Sequence, residues 1–213
     1  MKEAMMAISK AVVDINFDAC LEKVKECLAN GASAVEIIEE GLSPGMTMVG
    51  EMFEKGEYFL GELVMAGDLM DEAMESLGDK FEVTGRGKKG KVILATVEGD
   101  IHEIGKNIVG MMLSASGFEV IDLGIDVKAE KIVESVKKTN AKGLGLTMLL
   151  TTAIGSANEV VEALKEAGLR DKIKIAIGGA CTNDQLAKDL GMDAYGSNAV
   201  QAVRIFDNLL GVS

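Results

Sequence analysis

Hydrophobic spacing changes character near residue 90. Before it, apolar residues recur every three or four positions and no segment reads as a convincing strand. That spacing predicts helices near 3–13, 17–29, 32–40, 44–55 and 60–78. Asn30-Gly31 is a helix stop signal, and Ser43-Pro44 a start with proline at the first helical position. From residue 91 onward, short strand-like runs, the first of them the β-branched KVILATV, alternate with helical spacing. Strands are expected near 91–97, 118–122, 143–147, 173–177 and 192–195, with helices near 105–116, 128–139, 153–167, 182–190 and 198–210. Five strand–helix units with short connections imply a parallel, right-handed, doubly wound sheet. The fold class is therefore α/β: an N-terminal helical bundle, then a five-stranded, flavodoxin-like (Rossmann-type) sheet in the order 2-1-3-4-5. Sheets of this order take ligands outside the carboxyl ends of the strands, at the switch point between strands one and three.

Between the two patterns lies 82–90, EVTGRGKKG, a shift to glycine and basic charge. It divides the chain into a helical domain at 1–82, a linker at 83–90 and an α/β domain at 91–213.

Composition narrows the reading. A hydrophobic fraction of 48% with mean hydropathy +0.21 supplies real cores. No apolar run reaches the roughly 18 residues of a membrane span. The amino terminus is too acidic and interrupted for a secretory signal, so a cytoplasmic protein is expected. A net charge of −12 argues against nucleic acid, whose phosphates need a basic face; we read the acidity as solubility. Cys20 and Cys27 are two helical turns apart, about 10 Å of rise and too far for a disulfide. With Cys181 they read as small buried hydrophobes. With one histidine and no C-x-x-C, a zinc site is not expected. The methionines gathered between Met46 and Met74 read as core filler.

That single histidine sits in Asp100-Ile101-His102-Glu103-Ile104-Gly105. Lys91–Val97 before it has the look of a buried parallel strand. After it, Ile108, Val109, Met112 and Leu113 fall on one helical face. Asp100 and His102 therefore occupy the loop at the carboxyl end of strand one, and Thr147 ends strand three. The two segments meet at the expected ligand crevice.

The spacing resembles the D-x-H-x-x-G signature of cobalamin-binding domains, and the likeness runs on. The stretch 99–124 resembles the first strand–loop–helix–strand of the B12 domain of methionine synthase and of corrinoid proteins from methyltransferase systems. Thr147-Met148-Leu149-Leu150-Thr151 is similar to the family's S-x-L segment, Ile177-Gly178-Gly179-Ala180 to its G-G-A segment, and Tyr195-Gly196-Ser197-Asn198-Ala199 to its closing Y-G-x-[DN]-A. Gly56-Glu57-Tyr58-Phe59-Leu60 resembles part of the helical cap that precedes the B12 domain. The resemblance covers nearly the whole chain.

It implies a bound cobalamin or related corrinoid, base-off and His-on, with His102 as lower axial cobalt ligand. Asp100 would take the N–H of the other ring nitrogen, fix the tautomer and raise the imidazole's basicity. Glu103 and Ile104 lie in the same loop. Gly105, without a Cβ, would let the corrin or its nucleotide tail approach. Gly178, Gly179 and Ala180 would line the slot for the displaced dimethylbenzimidazole tail, with Thr147, Leu149, Thr151, Tyr195, Gly196 and Ser197 as further contacts. Phe53, Leu60, Leu63 and Val64 match positions that cover the upper corrin face in methionine synthase; ordinary helix packing gives the same spacing. Two departures stand out. Ala153 replaces a serine that completes a His–Asp–Ser relay in methionine synthase, so proton uptake here must end at Asp100 or pass to water. Gly61 stands where many caps have proline.

The implied function is a methyl carrier that alternates between Co(I) and methyl-Co(III), one component of a methyltransferase or O-demethylase system and not a complete enzyme. Its implied partners are a substrate-specific barrel methyltransferase, a second methyltransferase to a tetrahydropterin or thiol acceptor, and a reductive activase, with no nucleic acid or membrane. The rivals are the B12 subunit of an adenosylcobalamin mutase and a B12-based sensor. Mutase modules normally come with a radical-generating barrel and without the helical cap that residues 1–80 resemble. Sensors usually add a DNA-binding region and often a tryptophan, and this chain has no tryptophan.

Overall fold

The computed structural model describes residues 2–77 and 89–212. The chain divides into a helical unit centred on residues 1–88 and an α/β unit that takes the bulk of 89–213. Apart from Lys89 and Gly90, the expected linker lies outside the described residues.

The helical unit contains α1 (Lys2–Val13), α2 (Phe17–Ala29), α3 (Ala34–Ile37), α4 (Ser43–Glu54) and α5 (Leu60–Ser76). Short polar side chains set several starts. Asn16 accepts the Ala19 N–H at 3.1 Å. Ser33 and Glu36 cap each other reciprocally, and two bonds from Ser33 draw the Glu36 carboxyl below its usual range. The expected break between helices at 32–40 and 44–55 is not there. α3 runs into a π-helical turn, Ile38–Leu42, and on into α4. The Ser43 N–H bonds the Ile38 carbonyl, five residues back. Pro44 has no N–H to give an α-helical turn, so the widened turn carries it without ending the helix. α1 crosses this helix closely. The Ser9 hydroxyl donates to the Gly41 carbonyl at 2.6 Å, and a methyl on Gly45 would lie 2.7 Å from Val12 Cβ. Met46, Met70 and Met74 are buried, as core filler should be, but Met48 and Met65 are exposed.

The α/β unit alternates strictly: β1 (Lys91–Thr96), α6 (Ile104–Ala115), β2 (Glu119–Asp122), α7 (Ala129–Thr139), β3 (Gly143–Thr147), α8 (Ile154–Glu166), β4 (Lys174–Gly178), α9 (Asp184–Asp189), β5 (Ala194–Gly196) and α10 (Ala199–Leu210). All strand pairs are parallel, and the order is β2-β1-β3-β4-β5. Successive residues of β1 feed opposite faces, as a two-residue period requires. Ile93 and Ala95 join the core with Leu144, Leu146, Ile175 and Ile177, while Val92 and Leu94 join Phe118 and Phe206 on the other face. Those two rings meet edge-on, 6.5 Å between centroids. Register places Thr96, Thr147, Gly178 and Gly196 side by side across the carboxyl end of the sheet. That row underlies the site.

Candidate functional site

Burial of Asp100 is complete, and a buried carboxylate needs donors. It has four. One oxygen accepts the backbone N–H of His102 at 3.0 Å and lies 2.6 Å from its ring Nδ1. The other accepts the N–H groups of Leu149 at 2.6 Å and Leu150 at 2.9 Å. Burial alone would push this carboxyl up. The His102 N–H, the Leu149 N–H, the His102 ring and the Leu150 N–H outweigh it and hold the carboxyl down at about 2. Asp100 is thus ionised at neutral pH and can only accept. In the neutral imidazole the hydrogen then sits on Nδ1, which leaves a lone pair on Nε2.

The ring itself is about half exposed, with 49% of its side-chain surface open, and Nε2 has no partner among the described residues. Exposed apolar side chains lie near it in the chain and beyond β3: Ile101 in its loop, Ile104 at the start of α6, and Leu149 and Leu150, whose backbones bond the same Asp100. A half-exposed imidazole at a sheet's switch point, with exposed apolar side chains on the adjoining segments, is suited to a large, mostly apolar ligand that bears a metal. No group of three or more His, Cys, Asp or Glu side chains gathers for a bare ion among the described residues. The donor set fits a metal that brings most of its own ligands and takes one imidazole from the protein.

Beside this loop, the turn after β4 is built for close approach. Gly179 has φ +123°, and a Cβ there would fall 2.0 Å from the Met148 carbonyl oxygen. The Met148 N–H bonds the Gly178 carbonyl at 3.0 Å, and the Cys181 thiol reaches the Met148 carbonyl at 3.4 Å. A methyl on Gly105 would meet nothing in the chain. The loops after β1, β3 and β4 thus share one end of the sheet.

Two family models match the chain, each described as a B12 binding domain, one over residues 90–204 and one over 6–77. Dimethylamine corrinoid protein 1 of Methanosarcina acetivorans is 41% identical over 210 residues, 98% of each chain. The chain belongs to the corrinoid-protein family. Among solved structures, a cobalamin-binding protein from Desulfitobacterium hafniense DCB-2 shares 42% identity at a TM-score of 0.82, covering 96% of this chain and 98% of that one. The methanol:cobalamin methyltransferase complex of Methanosarcina barkeri shares 33% at 0.86, covering 99% and 81%.

The other expected positions of this corrinoid protein are distributed as follows. Glu103, Thr151, Ala180 and Ser197 are exposed; Thr147, Tyr195 and Gly196 are half-buried, and Tyr195 packs against the core. The Thr147 hydroxyl lies 2.9 Å from that of Thr96. Ala153 is buried, and the Asp100 oxygen distal to His102 accepts the backbone N–H groups of Leu149 and Leu150. In the helical unit Leu60 is exposed, Phe53 and Val64 are half-buried, and Leu63 is 1% exposed. Inspection of the sequence missed three residues around the loop. Lys106 is buried and bonds Asp122 and Asn107, tying α6 to the end of β2. Its signal was a charge against the positive end of a helix, which needs a partner. Thr96 and Asp126 are the others.

Proposed function

We propose that this chain is a corrinoid carrier that moves a methyl group between two methyltransferases. The observation that carries the reading is the half-exposed His102 ring at the sheet's ligand-binding end, held through Nδ1 by buried, ionised Asp100 so that Nε2 is the ring nitrogen left for a ligand. When bound, a corrin supplies the cobalt on which the methyl group travels. The chain's own residues supply the rest. His102 offers one lone pair, Asp100 keeps the Nδ1 hydrogen in place, and the turn at Gly178 and Gly179, packed on the Met148 backbone, would border the slot for a nucleotide tail. Thr147, Leu149, Thr151, Ala180, Tyr195, Gly196 and Ser197 belong to this reading as tail contacts, and Phe53, Leu60 and Val64 as an apolar shield. A helix-packing role for Leu63 accords with its burial.

The partners in this reading are a barrel methyltransferase that supplies the methyl group, a second methyltransferase with a tetrahydropterin or thiol acceptor, and a reductive activase. Relatives in dimethylamine and methanol systems support a small methylated amine or alcohol as the origin of the methyl group. The chain's full-length match to such relatives favours this over a mutase subunit or a sensor.

The test is a visible absorption titration of the cofactor-free protein with hydroxocobalamin. Uptake with a nitrogen-ligated spectrum is expected, and His102→Ala should give weaker uptake and a spectrum lacking the imidazole. No uptake by the wild-type chain, or an identical spectrum in the variant, overturns the proposal.

A further inference from the structure

The backbone of the His102 loop is fastened by two residues outside the motif. Thr96, the last residue of β1, is fully buried. Its hydroxyl donates to the His102 carbonyl at 2.9 Å and lies 2.9 Å from the Thr147 hydroxyl. A carbonyl only accepts, so the Thr96 hydrogen goes to His102 and Thr147 must donate to Thr96. The reverse order would leave the His102 carbonyl facing a lone pair and forfeit one of the two bonds, a poor arrangement where water is excluded. Asp126 grips the same loop from the turn after β2. Its N–H bonds the Asp100 carbonyl at 3.0 Å, and its carboxylate accepts the Gly99 N–H at 2.7 Å. Asp126 does so with φ +52°, a left-handed conformation that a non-glycine residue keeps only when its surroundings hold it there.

We propose that Thr96, assisted by Asp126, is a positioning residue that fixes the His102 peptide and so aims the imidazole. The consequence is geometric. His102 is tied at its N–H and ring by Asp100 and at its carbonyl by Thr96. Asp100 in turn is tied at its carbonyl by Asp126. Remove the Thr96 hydroxyl and the peptide after His102 is free to rotate, so the ring keeps its hydrogen-bond partner but loses a single direction. The Thr147 hydroxyl is meanwhile committed as a donor inside the sheet, and it has only lone pairs to offer elsewhere.

The inference rests on the proposed function, because aiming matters only if His102 meets a ligand. The experiment uses full-length Thr96→Val, Thr96→Ser and Asp126→Ala with two readouts: hydroxocobalamin affinity by absorbance, and the ring nitrogen resonances of the cofactor-free proteins. With one histidine in the chain, those resonances need no assignment. Thr96→Val should bind about 10–100-fold more weakly, the usual scale for a partner of a metal ligand, with shifted ring signals. Thr96→Ser, which keeps the hydroxyl, should restore both. Asp126→Ala, on an exposed turn, should shift the ring signals in the same direction with a smaller loss of affinity. Wild-type affinity and unchanged ring signals in Thr96→Val would overturn the proposal, as would an equal loss in Thr96→Ser. If Thr96→Val does not fold, Asp126→Ala decides alone: unmoved ring signals there would overturn it. Should the wild-type chain take up no cobalamin, the proposed function fails, and the ring signals of the cofactor-free variants still test the clamp.

Discussion

Replacing Asp100 with asparagine changes one atom's chemistry and should invert the histidine's tautomer. The carboxylate satisfies four N–H donors with two oxygens. An amide has one accepting oxygen and one donating nitrogen. If the oxygen faces His102, the Leu149 and Leu150 N–H groups are left buried and unpaired, at about 1–3 kcal/mol each. The oxygen will therefore keep those two and give up one, the His102 backbone N–H, and the amide NH2 will face His102. Nδ1 must then accept, its hydrogen moves to Nε2, and the nitrogen that faced outward becomes a donor unable to ligate. Presenting the lone pair again means giving up the new bond, about 0.5–1.5 kcal/mol, and leaving the Nδ1 hydrogen against the amide NH2 without an acceptor, about 1–3 kcal/mol. Part of that loss is relieved by rotation of the ring. A net cost of about 2–3 kcal/mol corresponds to roughly 30–150-fold weaker hydroxocobalamin binding. Absorbance titration measures the affinity, and nitrogen NMR of the sole histidine reports the tautomer without cofactor. Wild-type affinity in Asp100→Asn, with the hydrogen still on Nδ1, would refute the argument.

Three further outcomes are expected. Because the folded-state value of Asp100 is depressed to about 2, its stabilising contribution is complete above the unfolded carboxyl value of about 3.9. It is lost only as pH falls from there toward 2; the Leu149 and Leu150 amide resonances should stay flat from pH 7 to about 4, and a midpoint near 4 would contradict the four-donor geometry. Gly179→Ala must accommodate a Cβ 2.0 Å from the Met148 oxygen at φ +123°; chemical denaturation should reveal a loss beyond the roughly 1–3 kcal/mol of backbone strain alone, and near-wild-type stability would show that the turn yields. Burial raises the Cys20 thiol to about 11 and also raises Cys27, so iodoacetamide at neutral pH should label neither in the folded chain, as mass spectrometry of the digest can check.

The sheet was legible because short, mostly apolar runs alternate with helical spacing from residue 91 onward, and Thr147 and His102 fall at or just beyond the ends of the strands that flank the switch point. The Asp100–His102 pair was legible because its spacing is local. Leu149 and Leu150 donate through their backbones, which no side-chain pattern reveals. Thr96 looked like one more strand residue, since nothing in a sequence tells which way a hydroxyl points. Asp126 lies far from Asp100 in the chain, and its role depends on a left-handed conformation that sequence favours only weakly. In the helical unit, Leu60, Leu63 and Val64 all fit an apolar stripe, but the stripe alone could not say that Leu63 is buried and Leu60 exposed. Ser43-Pro44 read as a helix start because proline suits that position equally well; only the hydrogen bonding distinguishes a start from a widened turn.

That widened turn solves a problem of phase. Buried residues along this helix come in pairs at strict intervals of four: Ile37 and Ile38, Gly41 and Leu42, Gly45 and Met46, Val49 and Gly50. An α-helix completes a turn in 3.6 residues, so each step of four overshoots by ~40°, and three steps would carry the stripe ~120° around the axis. One extra residue absorbed in the π turn gives back ~100°, and the four pairs stay on one line. Deleting any single residue of Ile38–Leu42 should restore a uniform helix and swing Met46 and Val49 away from the core, a larger disruption than most substitutions at the same positions. The segment is therefore constrained by its length as much as by its chemistry.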